Sequence, residues 1–338
     1  MKFLIALIIG FTLAVPSMAQ QDSLLAVLDT AKLDRKVKTL NELFRANIQQ
    51  NPVKAIGYTR EALNYATEIN DEKGMAASFN NLGIAYKNQG AWDRALEYYI
   101  RALGIYEHIK NVEGVAASKN NISNIYAAKG DYGQALKYLQ ESHASFIQLG
   151  DQQKIIGSMN NLGNLHNDLQ LYEQAMKYFS EAHQLAEKAG VKYADPVTNM
   201  GNVFFRQNNF QRAIESYQKA LDIEKSINNR LGMLSVITNM GIAYTKAKQP
   251  VPALQLLREA EALSKELQAN SSIPVVYKYM AENLYLQRKL DDAYLTMVRY
   301  DSAREKIYSE ESTRKIAQME MVLDFQQKEE ELQMLEKE

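Results

Sequence analysis

Small and apolar residues recur along this chain on one long period, and inside each period they fall at helical spacing. Ala55, Ala95, Ala135, Ala175, Ala213, Ala253 and Ala293 follow one another at intervals of 40, 40, 40, 38, 40 and 40 residues. A second ladder of small residues, Gly83, Ser123, Gly163, Gly201, Gly241 and Ala281, stands twelve residues before the matching alanine. A third runs through Ala62, Ala102, Ser142, Ala182, Ala220 and Ala260. A fixed period of this length is the mark of stacked structural repeats. Within a unit, Phe79, Leu82, Gly83 and Tyr86 form one stripe of an amphipathic helix, and Ala95, Tyr99 and Ala102 form another. Each unit therefore reads as two helices, which small residues allow to approach closely while large ones fill the edges.

The turn chemistry fits this register. Asn51-Pro52 and Asp195-Pro196 each pair a capping side chain with a proline in a first turn, and Pro250, Pro252 and Pro274 also fall near helix starts. Gly74, Gly114 and Gly232 are expected at the junctions between units, where chain reversal favours a residue tolerant of positive φ.

The residues Asn80-Asn81-Leu82-Gly83, Tyr86, Gly90, Trp92, Ala95, Tyr99 and Ala102 resemble the tetratricopeptide-repeat (TPR) consensus. The long period and the Asn-Asn-Leu-Gly opening are similar to the subclass that includes kinesin light chain and the exported sensor regions of bacterial histidine kinases and nucleotide cyclases. The resemblance implies an all-α, right-handed superhelical solenoid of about seven helix-turn-helix units followed by a long C-terminal helix. It departs from the pattern at the ends, where Leu43 takes the glycine position of the first unit and Ala281 that of the last. Terminal repeats that cover an open core are expected to be atypical.

Before the repeats, Lys2 and an apolar run from Phe3 to Val15 lead to Pro16, Ser17, Met18 and Ala19. This is the form of a secretory signal peptide, with Ser17 and Ala19 supplying the small residues of a cleavage site. The expected organisation is a signal peptide over 1–19, cleaved after Ala19, a lead-in helix over 20–33, the repeats over 34–307 and an exiting helix over 308–338. The run is shorter than the roughly 20 residues of a spanning helix, so the mature chain is expected in the periplasm or cell envelope without a membrane span. The last segment keeps apolar positions at Ile316, Met319, Leu323, Leu332 and Leu335, but Gln326 and Glu330 interrupt the heptad. A coiled-coil stalk through which copies associate and a solvated tail both remain open.

Composition narrows the chemistry. The 39 Lys and Arg against 40 Asp and Glu leave a net charge of −1, without the basic footprint of nucleic-acid binding. There are no cysteines, hence no thiolate metal site and no cysteine nucleophile. No phosphate-binding glycine loop or hydrolase motif occurs. Of the four histidines, His166 takes the position of Tyr86 and Tyr126, while His143 and His183 without carboxylates make a poor metal site. No catalytic residue, metal or cofactor is expected.

Asn81, Asn121, Asn161, Asn199 and Asn239 repeat at one position of five first helices, roughly 150° from the apolar stripe by helical geometry. An amide offers a donor and an acceptor, which an extended peptide backbone answers. One reading makes this ladder the floor of a concave peptide-binding groove, as similarly placed asparagines serve in kinesin light chain. The other has the amides bond to one another and stiffen the array. The expected function is a non-catalytic scaffold that binds proteins or peptides, or, alternatively, the sensory part of a longer receptor with an enzymatic or DNA-binding output.

Overall fold

The computed structural model describes residues 24–28, 31–48, 51–309 and 312. The expected signal peptide and nearly all of the expected exiting helix lie outside them. Among the described residues all regular structure is helical. Thirteen helices follow one another: α1 (Leu33–Asn47), α2 (Pro52–Glu68), α3 (Glu72–Asn88), α4 (Trp92–His108), α5 (Val112–Ala128), α6 (Tyr132–Leu149), α7 (Gln152–Asp168), α8 (Tyr172–Lys188), α9 (Asp195–Arg206), α10 (Phe210–Ser226), α11 (Arg230–Lys246), α12 (Pro250–Glu266) and α13 (Ile273–Leu286). A further helical stretch occupies 290–309. Odd-numbered helices are the first of each pair and even-numbered ones the second, so the 290–309 stretch is the partner of α13. The chain divides inside α5 into two compact units, residues 1–125 and 126–338.

One device ends nearly every helix. A single residue takes a left-handed conformation at 70, 90, 110, 130, 150, 170, 190, 208, 228, 248, 268 and 288, and only four of the twelve are glycine. At Gly90 the N–H donates to the Lys87 carbonyl, and the N–H of the next residue, Ala91, reaches back to Tyr86. This pair of bonds satisfies carbonyls that the helix end would leave bare. Where the next residue is Asp or Asn, its side chain caps the following helix: Asp71 accepts from the Gly74 N–H, Asp131 from Gln134 and Asn229 from Gly232.

Two expectations about turns are corrected here. Gly74, Gly114 and Gly232 sit inside helix first turns, not in the reversals. They are small because a Cβ would meet Val37, Tyr106 and the Glu224 carboxyl at 2.4–2.6 Å, while Asn70, Lys110 and Asn228 carry the positive φ. Asp195 does not cap α9 either. Ala194 is the N-cap, and the Asp195 carboxyl instead bonds to the Tyr193 hydroxyl.

The core repeats with the sequence. In residues 1–125, the Tyr99 ring lies on Gly83 so closely that a Cβ there would stand 2.5 Å away. In residues 126–338, Phe179 lies on Gly163 and Tyr217 on Gly201 in the same manner, and Leu257 covers Gly241. Ala95, Ala135, Ala175, Ala213, Ala253, Ala281, Ala293 and Ser123 are all buried. The aromatic that follows the small residue by three packs on the second helix: Tyr86 stacks on Tyr98 at 5.3 Å and Tyr126 on Tyr138 at 5.6 Å, while His166 lies tilted against Tyr178 at 5.1 Å. Those contacts hold each pair together as one packed unit.

Candidate functional site

First helices of successive pairs touch one another: α1 meets α3, α7 meets α9, and α11 meets α13. The recurrent asparagines lie along these contacts. In residues 1–125, the Asn81 amide donates to Asn41 Oδ1 at 2.7 Å, and Ser78 and Thr59 donate to the same oxygen at 3.2 Å. Asn121 donates to Asn80 Oδ1 at 2.9 Å, one whole unit back. In residues 126–338, Asn199 donates to Asn160 Oδ1 at 2.9 Å and accepts from Asn202 at 3.0 Å, whose own oxygen accepts from the Tyr217 hydroxyl at 2.8 Å. Asn283 closes the series by donating to Thr245 Oγ1 at 2.6 Å and to the Tyr279 carbonyl.

The structure therefore corrects the orientation read from helical angle alone. Asn81 and Asn199 are buried, while Asn121, Asn161 and Asn239 are half-buried. A direction pointing away from a helix's own pair leads first to the neighbouring first helix, and only beyond it to solvent. The residues that sequence reasoning missed are the receivers, Asn41, Asn80, Asn160 and Thr245, and Asn202, which donates to Asn199. For Asn80 and Asn160 the signal was the doubled asparagine at 80–81 and 160–161, whose first member takes the bond from the repeat that follows.

Ionic contacts reinforce the same seams at their edges. Arg206 reaches both the Asn167 carbonyl and the Asp168 carboxylate at 3.0 Å, and Lys246 meets Glu282 at 2.9 Å. Burial without a described partner holds Lys87 below the ordinary lysine range. One acidic group stands out. Glu224, almost fully buried on α10, is pushed up to about 7 by burial, against the stabilising bond from Asn229, with the Asp195 charge adding to the rise. Burial likewise raises Asp195.

The histidines go to separate places. His143 Nδ1 lies 2.7 Å from Ser158 Oγ, His183 reaches Glu187 at 3.6 Å, and His166 Nδ1 donates to the Leu162 carbonyl. Among the described residues no three His, Asp or Glu side chains cluster as a metal site would need, and no helix is long and apolar enough to cross a membrane.

Family models described as tetratricopeptide repeat match residues 75–109, 114–188 and 193–266. The chain belongs to the tetratricopeptide-repeat family. A 79-residue stretch of this TPR chain is 28% identical to human intraflagellar transport protein 88 homolog, covering 23% of the chain and 10% of that protein, so the match spans only about a tenth of the relative. Among solved structures, a STAND signal-transduction ATPase with a tetratricopeptide-repeat sensor from Pyrococcus horikoshii is similar at a TM-score of 0.67 and 19% identity, over 86% of this chain and 45% of that one. A Rap protein solved with competence and sporulation factor is similar at 0.64 and 16%, over 85% and 80%. The apo form of RapI is similar at 0.61 and 17%, over 81% and 99%. At these identities the likeness is one of fold.

Proposed function

We propose that this TPR protein is an exported, non-catalytic scaffold whose first-helix face holds an extended segment of another protein. The observation that carries the reading is that polar amides bond one first helix to the next, within residues 1–125 and again within residues 126–338. Bonds between units fix the spacing of these helices. Half-buried Asn121 in residues 1–125, and half-buried Asn161 and Asn239 in residues 126–338, then offer the part of each side chain that reaches solvent to a peptide backbone. The similarity to a Rap protein solved with a bound factor, and to the TPR sensor of an ATPase, supports a place in signalling. The same likeness supports the second reading, in which these repeats are the sensory part of a longer receptor.

Capture of envelope proteins on the purified chain, followed by calorimetric titration of whatever is retained, tests the proposal. Replacing Asn121 and Asn161 together by Ala should weaken binding at least about tenfold, at roughly 0.5–1.5 kcal/mol for each hydrogen bond lost. Unchanged affinity would move recognition to another face. Export is tested separately by intact mass of the envelope fraction, where a chain beginning at Gln20 is expected and an unprocessed cytoplasmic chain would contradict it.

A further inference from the structure

Within residues 126–338 the first helices do not all meet alike. α7 packs on α9 and α11 on α13, but α9 and α11 make no comparable contact. The asparagine position shows the same break. Asn199 is bonded across its seam to Asn160, whereas Asn239 on α11 has no hydrogen-bond partner among the described residues. An open cleft of about 550 Å³ lies at one end of the α9–α11 seam, between the turn after α9, at Gln207 and Asn208, and the turn after α11, at Ala247 and Gln249.

Glu224 stands at the other end. In residues 1–125 the Tyr106 ring, in the last turn of α4, lies on Gly114 in the first turn of α5 and leaves no room there for a Cβ. At the matching place the Glu224 carboxyl, in the last turn of α10, lies on Gly232 in the first turn of α11, again without room for a Cβ. A carboxyl thus does the packing that a tyrosine ring does elsewhere. Glu224 is 4% exposed and its Oε2 has no hydrogen-bond partner. Its carboxyl is bonded by Asn229, the residue that caps α11 by accepting from the Gly232 N–H. From the α9 side it faces the Asp195 carboxyl and the Tyr193 hydroxyl bonded to it. No cation answers it among the described residues: Arg230 is committed to Glu266, and Lys225 is exposed. An ionised carboxylate without such a partner is costly to keep buried.

We propose that the junction of α10 with α11 is a proton-operated hinge, closed while the Glu224 carboxyl is neutral over Gly232 and opened when it ionises and leaves that place for water. Opening parts α9 from α11, the neighbours that no direct contact holds together, and so alters the spacing of the first-helix face. The inference does not depend on what that face binds. Closed, the carboxyl is raised to about 7 by burial, against the Asn229 bond and with the Asp195 charge adding to the rise; open and hydrated, it returns to the ordinary 4.5. Opening is therefore favoured as pH rises between those values and levels off above 7, and the open fraction should grow roughly 30-fold from pH 5.5 to pH 8.

Hydrogen exchange of the full chain at pH 5.5 and pH 8, corrected for the intrinsic effect of pH on exchange, reads the hinge directly. Peptides over 220–237 should lose up to about 30-fold in protection at the higher pH, while those from α12 and α13 stay unchanged. Glu224→Gln should hold the junction at its pH 5.5 protection under both conditions. Gly232→Ala denies the carboxyl its place and should leave the junction poorly protected at pH 5.5 already. A loss of equal size along α12 and α13 would overturn the hinge in favour of a general loss of stability. The same pH response in Glu224→Gln, or wild-type behaviour in Gly232→Ala, would overturn the role given to Glu224, and an unaltered chain whose junction ignores pH would overturn the proposal outright.

Discussion

Two glycine-to-alanine substitutions should have opposite signs, and the contrast tests the packing on which the repeat rests. At Gly201 an added Cβ would stand 2.5 Å from Tyr217 Cε1 and 2.7 Å from Cδ1, closer than real Cβ contacts come. The ring has no slack: Tyr217 is 2% exposed and its hydroxyl is bonded to Asn202 at 2.8 Å. Alanine is the better helix former by about 1 kcal/mol. Against that gain stand about 1–3 kcal/mol for overpacking and roughly 0.5–1.5 kcal/mol if the tyrosine bond is lost. Gly201→Ala should therefore destabilise by about 1–3 kcal/mol. Gly104, midway along α4, has nothing within 4 Å of the same Cβ, so Gly104→Ala should stabilise by about 0.5–1 kcal/mol. Thermal melts followed by circular dichroism should show a fall of several degrees for the first and a small rise for the second, at about 2–4 °C per kcal/mol for a domain of this size. A rise at Gly201 would refute its assigned contact with Tyr217, and a fall at Gly104 would refute the open space assigned there.

Other expectations follow from the same contacts. Ala135→Glu places a carboxylate in the fully buried cluster with Leu139, Leu162 and Leu165 and should cost about 3–5 kcal/mol, read in urea unfolding. Asn199→Ala removes both the bond to Asn160 and the acceptor for Asn202, so it should lower stability by about 1–3 kcal/mol even though Ala favours helix. Glu224 gives a pH dependence whose sign is fixed. Its folded pKa of about 7 lies above the ordinary 4.5, so the folded chain keeps the proton longer, and stability should fall as pH rises between those values and level off above 7. The loss is at most about 3 kcal/mol, and Glu224→Gln should remove most of it in melts from pH 5 to 8.

The fold was legible because its determinants are periodic. Small residues at 83, 163, 201 and 241 lie where a second-helix side chain presses on the first helix, and they mark the pairs without reference to any other position. The reversals were less legible. Lys110, Gln170, Lys248, Gln268 and Arg288 adopt left-handed conformations with no compositional signature, because the bonds at the helix end outweigh a modest cost in φ. Gly74, Gly114 and Gly232 looked like turns for the converse reason, since lack of space and freedom of φ select the same residue. The asparagine ladder was visible as a ladder, but its direction was not. A helical wheel places a residue relative to its own helix, and the partner of Asn121 is Asn80, 41 residues away. Glu224 was overlooked because it occupies the slot of Tyr106, Phe146 and Ala186, where a charged residue carries no motif.

Hydrogen exchange of the chain, alone and saturated with a captured partner, tests the central claim most directly. The account predicts added protection on α3, α5, α7, α9 and α11, the helices that carry the asparagine position, with the intervening second helices unchanged. Protection centred on α4, α6, α8 and α10 would contradict it.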